Sequence, residues 1–159
     1  MKKLGLNILL AIFIMQLVAA NVVAMESVPS SIISPRELTD WMSREFTYSM
    51  EMSDDWQKSE ETLRSRTGDC EDFAIFVSKM LSRQSIENHM LIVKFRGLNI
   101  AHVICMWKND DGSYSFTSNT KLYHSEKFEI TEAITKYYPD WEKIVFTNEN
   151  RTPIKIIRR

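Results

Sequence analysis

The sequence predicts an α+β domain in which a cysteine at a helix N-terminus is packed on an antiparallel sheet. Three observations carry this. The first is the stretch Arg66-Thr67-Gly68-Asp69-Cys70-Glu71-Asp72-Phe73-Ala74-Ile75, a turn running into a helix. Gly68 permits a turn, Asp69 is placed to cap the helix, and Asp72 falls where a capping-box partner sits. Behind them Phe73, Phe76, Val77, Met80 and Leu81 recur at spacings of three and four, the stripe of a buried helix. The second is a set of three strand-like runs, His89 to Phe95, Ile100 to Trp107 and Tyr114 to Ser118. The last two are joined by Asn109-Asp110-Asp111-Gly112, a hairpin signal. The third is composition: 159 residues, 44% hydrophobic and 26% charged, suit one domain with a real core. A net charge of −1 gives no case for nucleic acid, and 4 Gly and 4 Pro leave no linker or low-complexity segment.

In chain order, the N-terminus reads as targeting rather than fold. Lys2 and Lys3 form a positive start, Leu4 to Val18 is largely apolar, and Val18-Ala19-Ala20 and Val22-Val23-Ala24 both suit cleavage. Residues 1–24 are therefore expected to be a signal peptide and 25–159 the mature domain, periplasmic or secreted. The apolar run is shorter than the roughly 20 residues a membrane span needs, so membrane contact is expected only if this segment stays uncleaved. No cysteine follows it, which argues against a lipoprotein.

Ser34-Pro35-Arg36-Glu37 starts the next helix, with Ser34 as cap and Glu37 as its reciprocal acid. Leu38, Trp41 and Met42 form its inward face, and the segment from Phe46 to Met50 is extended. Ser53-Asp54-Asp55 is a turn, and Trp56 reads as a core aromatic. Ser59 is expected to cap a short helix to Arg66. The Cys70 helix then runs to about Gln84, and the three strands follow. Glu129 to Ile134 begins a helix that ends before Pro139. The tail carries two more runs, Lys143 to Thr147 and Ile154 to Ile157, split by Asn148-Glu149-Asn150. Pro153 suits an edge strand.

Cys70 stands where the helix dipole favours an anion, a placement that lowers a thiol pKa. His102 lies on the second strand among apolar residues, where an imidazole needs a partner. Ser118-Asn119 closes the third strand with polar groups able to orient it. Cysteine, histidine and a polar orienter form a thiol-nucleophile arrangement. His89, opening a strand, and His124, in a polar loop, read as surface residues. Outside the cytoplasm two cysteines often pair, so a Cys70–Cys105 disulfide is the competing reading. Cys105 is an odd number of positions from His102 and should face the other side of its strand. If His102 meets Cys70, Cys105 does not.

Thr67-Gly68-Asp69-Cys70-Glu71-Asp72-Phe73-Ala74, with Trp56 and Glu61-Thr62-Leu63 upstream and His102 downstream, resembles the bacterial transglutaminase-like cysteine peptidases over roughly residues 35 to 125. The resemblance implies a papain-like fold, with Cys70 as free nucleophile, His102 as base and a protein or peptide as substrate. It requires no cofactor. The family places an aspartate after the third strand. Here there is no acid between Asp111 and Glu126, so either Asn119 or Ser118 takes that place. Asn119 is preferred, because its carbonyl can hold an imidazole N–H and a serine reaches less far.

The acids Asp69, Glu71 and Asp72 are explained by helix capping, with a calcium site as the alternative. They raise the thiol pKa unless a cation, Arg64 or Arg66, offsets them. The expected function is a monomeric, secreted thiol hydrolase. A binding module without turnover and a disulfide-stabilised structural domain are the alternatives.

Overall fold

A computed structural model describes residues 28–29, 32, 34–50 and 55–159. The expected signal peptide, and Ser53 and Asp54 of the expected turn, lie outside the described residues. The fold belongs to the unit Ile33–Arg159.

Helix α1 (Pro35–Glu45) starts as expected: the Ser34 hydroxyl accepts the Glu37 N–H at 3.2 Å. It buries Leu38, Trp41 and Met42 and stops at Phe46, which turns extended. Strand β1 (Thr47–Tyr48) then pairs in parallel with β2 (Thr67–Gly68), either side of helix α2 (Ser59–Ser65). Ser59 is not the cap of α2. Lys58 holds that position, and Ser59 lies within the first turn, buried. The helix ends because Arg66 adopts the left-handed conformation, φ 57°. Trp56 is half-buried beneath the Arg151 guanidinium, 4.8 Å from its ring, rather than in the core.

Helix α3 (Cys70–Arg83) is the buried helix of the periodicity, with Phe73, Phe76, Val77 and Leu81 fully enclosed. Six strands follow: β3 (Asn88–Phe95), β4 (Ala101–Lys108), β5 (Tyr114–Ser118), β6 (Lys121–His124), β7 (Trp141–Thr147) and β8 (Pro153–Arg158). They form one sheet in the order β6-β5-β4-β3-β7-β8, every pair antiparallel. Gly112, at φ +86°, closes the β4–β5 hairpin. Strand β6 and the β1–β2 pair are additions to the expected elements.

The sheet separates two layers. Leu91, Val93, Ile104, Met106, Phe116 and Ile144 share one face with Ala133 and Ile134 of helix α4 (Ile130–Tyr137). The alternate residues face α3. There the Asn88 carbonyl oxygen accepts from Ser78 of α3 at 2.7 Å and from the Cys105 thiol at 3.6 Å. No disulfide forms. Both cysteines are free, and Cys105 is sealed in the α3 face, as the strand alternation required.

Candidate functional site

The N-terminus of α3 is fixed by a buried carboxylate. Asp72 is fully enclosed, and its two oxygens accept the Gln57 N–H at 2.8 Å and the Asp69 N–H at 3.2 Å. The second bond is one half of a capping box with Asp69. Gly68 is required by this packing rather than by a turn. A Cβ there would lie 2.8 Å from the Asp72 Cβ and Oδ2. One carboxylate thus ties the segment before α2, strand β2 and α3 together, and sets where Cys70 stands.

Cys70 is half-buried at the first position of α3. Its Sγ donates to Glu71 Oε2 at 3.0 Å, and the backbone N–H of Val103, the neighbour of His102, is close enough to favour its anion. That N–H lies where β4 has run past its partner: β5 stops at Ser118, opposite Ile104. The expected lowering of the thiol pKa is not seen. Burial and the Glu71 carboxylate push it up to about 12, against the Val103 N–H, which lowers it. Arg66, one of the two expected offsetting cations, stacks its guanidinium over Trp41 and Phe46, 4.5 Å and 5.0 Å from the ring centres.

His102 is the second residue of β4, nearer the strand end than the apolar run suggested. Its Nε2 lies 2.7 Å from Ser118 Oγ. Burial holds the imidazole pKa below its ordinary value, opposed by the nearby Glu71. The two side chains meet because they share the α4 face: Ser118 is opposite Ile104, two residues beyond His102. Asn119 does not reach the imidazole. It opens the two-residue β5–β6 turn in the left-handed conformation, φ 53°, which asparagine tolerates, and its Oδ1 is buried with no hydrogen-bond partner among the described residues.

Two tyrosines complete the surroundings, and sequence reasoning missed both. Tyr138 ends α4 with its ring 5.9 Å from the imidazole, and Ser118 acts on its phenol. Tyr48, on β1, is nearly half exposed, and the burial it has, then the charges of Cys70, Asp69 and Glu71, raise its phenol. Their only signals were a helix ending before Pro139 and an extended Phe46-Thr47-Tyr48. His89 is half-buried edge-on to Phe146, and His124 ends β6 with Nδ1 2.9 Å from Ser115 Oγ. Neither joins Cys70. A groove of about 650 Å³ lined by Ile75, Asn88, His89 and Phe146 includes none of Cys70, His102 and Ser118.

Asp69, Cys70 and Glu71 form a cluster whose ligand atoms all lie within 4.8 Å of one another. Asp72 stands apart, both of its oxygens engaged by backbone N–H groups. Among the described residues no helix is long and apolar enough to cross a membrane.

Helices packed against one antiparallel sheet, with a thiol at a helix start and a hydroxyl-held imidazole on a strand, are the features of a transglutaminase-like domain. The chain belongs to that family: the Transglutaminase-like domain family matches residues 18–137. Among solved structures, calcium-bound LapG of Legionella pneumophila is 18% identical, with 76% of this chain and 66% of that one covered at a TM-score of 0.54. LapG of Legionella pneumophila in a further structure is 18% identical, with coverage of 72% and 63% at 0.53. The EGTA-treated form is 16% identical, with coverage of 76% and 69% at 0.51. The chain thus spans about two thirds of the length of those chains, and the likeness is one of fold. No curated protein matches.

Proposed function

We propose that the protein is a thiol hydrolase, a cysteine peptidase that cleaves an amide bond of a protein or peptide through Cys70, His102 and Ser118. The observation that carries it is the placing of the Cys70 thiol at the first position of α3 within reach of the Val103 backbone N–H, the next residue to His102, whose Nε2 is held by Ser118 Oγ at 2.7 Å. His102 accepts the thiol proton as the Glu71 bond breaks. Sγ attacks the carbonyl carbon, and the Cys70 N–H at the helix start stabilises the oxyanion. The C–N bond breaks, His102 passes the proton to the amine, and water releases the acid from the thioester. Attack by a second amine instead of water gives crosslinking.

The family assignment supports a cysteine-protease-like chemistry. A periplasmic or secreted address rests on Lys2-Lys3 and the apolar run after them. Calcium enters by way of the calcium-bound LapG structure. The donor set fits a hard cation: the Asp69 and Glu71 carboxylates would hold it, half-buried and close together. Calcium held there would supply positive charge beside the thiol and so favour its anion. A second reading, a binding module without turnover, is favoured by the high thiol pKa and the absent carboxylate partner of His102.

The test is cleavage of a mixed peptide library, with and without calcium, read by mass spectrometry for new termini. The mature protein should generate them and the Cys70→Ala variant should not. A library left intact by both overturns the peptidase reading, and amine incorporation without cleavage turns it to transamidation.

A further inference from the structure

Helix α3 ends its cover of the sheet at Cys70. Ser78 of α3 donates to the Asn88 carbonyl oxygen at the start of β3, 2.7 Å away. Cys70 opens the helix two turns earlier, about 12 Å along its axis. About 12 Å along β3 from Asn88 stands Ile92. It pairs with Val103, whose N–H is close to the Cys70 thiol. The next side chains on this face, Lys94 of β3 and Ala101 of β4, lie past the helix start, and both are exposed.

From there the register lays two rows across the sheet. Val103, Ile92, Val145 and Ile156 stand opposite one another from β4 to β8. One step further out, Ala101, Lys94, Lys143 and Arg158 do the same. The first row is apolar and opens outward, from Val103 at 5% exposure to Ile156 at 45%. The second sets three cations side by side on three neighbouring strands. Side chains directly opposite in an antiparallel pair have Cβ atoms about 5 Å apart, and like charges there destabilise the sheet. Lys94 and Arg158 are exposed and Lys143 is half-buried. Among the described residues no ion pair joins any of the three to an acid, Glu142 at the neighbouring bulge included. The row works against the stability of the sheet, so its use lies in what it meets from outside.

The thiol end of the rows has the opposite sign, since Asp69 and Glu71 flank Cys70. Lys143 and Arg158 are two and three strands away from β4, roughly 10 and 14 Å at the usual strand spacing. That exceeds a Debye length of about 8 Å, so the acids beside the thiol leave these cations uncompensated. We infer that the Lys94-Lys143-Arg158 row, with the apolar row beside it, is the substrate-recognition surface of the Cys70 site and takes an extended polypeptide segment carrying Asp or Glu about three or four residues from the scissile bond. The distance follows from an extended chain, which advances about 3.3 Å per residue. An acid at the scissile bond itself meets Asp69 and Glu71 and is disfavoured. The surface rests on the proposed peptidase role of Cys70 and names its substrate class. A polypeptide is favoured over an anionic lipid because the row is narrow and leads off from the thiol.

The test uses one mixed peptide library in two arms. In the first, the mature Cys70→Ala protein binds the library without turnover, and bound peptides are identified by mass spectrometry at low and high salt. Peptides with Asp or Glu should be enriched about tenfold over those with Lys or Arg, and the enrichment should fade at high salt. In the second, wild type cleaves the library, and the cut peptides should carry Asp or Glu about three or four residues to one side of the new terminus. Lys94→Gln, Lys143→Gln and Arg158→Gln together should abolish both preferences. The same three positions changed to Glu should turn both toward Lys and Arg. A bound pool with no acidic preference, or one that the triple Glu variant leaves in place, overturns the proposal. So does binding to phosphatidylglycerol vesicles through these residues with no preference among peptides. An acidic bound pool from a protein whose wild type cuts nothing fails the peptidase reading and keeps the surface.

Discussion

The Cys70 thiol donates a hydrogen bond to Glu71 Oε2 at 3.0 Å, an acid one residue along the chain. The bond holds the thiol protonated, since burial and this carboxylate together raise its pKa from 9.0 to about 12. The sign follows directly. A raised thiol pKa leaves less anion at any pH below it, and the anion is what reacts with an alkylator. Without calcium, Cys70 alkylation by iodoacetamide should climb about tenfold per pH unit between about pH 7 and 10, with no plateau. Glu71→Gln removes the acceptor charge and should raise the rate about tenfold at neutral pH. A rate already flat above neutral would show a thiol that Glu71 does not restrain.

Calcium should reverse that restraint. If Asp69 and Glu71 bind the ion, its addition raises the thermal midpoint and speeds Cys70 alkylation at neutral pH, and chelation undoes both. Asp69→Asn and Glu71→Gln should abolish both responses. A calcium titration followed by thermal unfolding checks this, and a midpoint that calcium never moves leaves the acids to helix capping.

Asp72 is expected to matter for folding rather than for the ion. Its carboxylate satisfies the Gln57 and Asp69 N–H groups in a fully buried place. Asp72→Ala leaves both donors unpaired and should cost about 3 kcal/mol in denaturant unfolding. Gly68→Ala places a methyl 2.8 Å from the same side chain and should cost about 1–3 kcal/mol. Near-wild-type stability in both would remove the carboxylate as the anchor of α3.

Ser118 and Asn119 should separate cleanly. Ser118→Ala removes the group 2.7 Å from His102 Nε2 and is expected to lower Cys70-dependent turnover about 10- to 100-fold. Asn119→Gly keeps the left-handed turn at φ 53° and should leave turnover within about twofold. Peptide cleavage by the two variants side by side checks this, and the reverse order of losses would return Asn119 to the imidazole.

Much of this was legible in the chain. Phe73, Phe76, Val77 and Leu81 announced α3 because helical spacing is a property of sequence alone. The odd spacing between His102 and Cys105 foretold opposite faces of β4, because strand alternation is equally local. What failed was set by distance. Gly68 looked like a turn glycine, but its need comes from Asp72 folding back beside it. Ser59 looked like a cap, yet the chain enters α2 one residue earlier, and tertiary burial of Ser59 decides. Asn119 was preferred for its reach, but a short β6 that periodicity did not reveal turns the chain there and leaves Ser118 facing His102. The thiol pKa was misjudged because the helix start was weighed without burial or the Glu71 bond. Tyr138 could not be placed at all, since its position depends on α4 crossing the sheet.

The most direct measurement is the rate at which Cys70 in the native, calcium-supplied protein is alkylated at near-neutral pH, mapped by mass spectrometry in wild type and in His102→Gln. Cys105 should stay unlabelled in its sealed position, Cys70 should label selectively, and His102→Gln should slow Cys70 at least about tenfold. A Cys70 rate that His102→Gln leaves unchanged would contradict the pairing of thiol and imidazole on which the proposed chemistry stands.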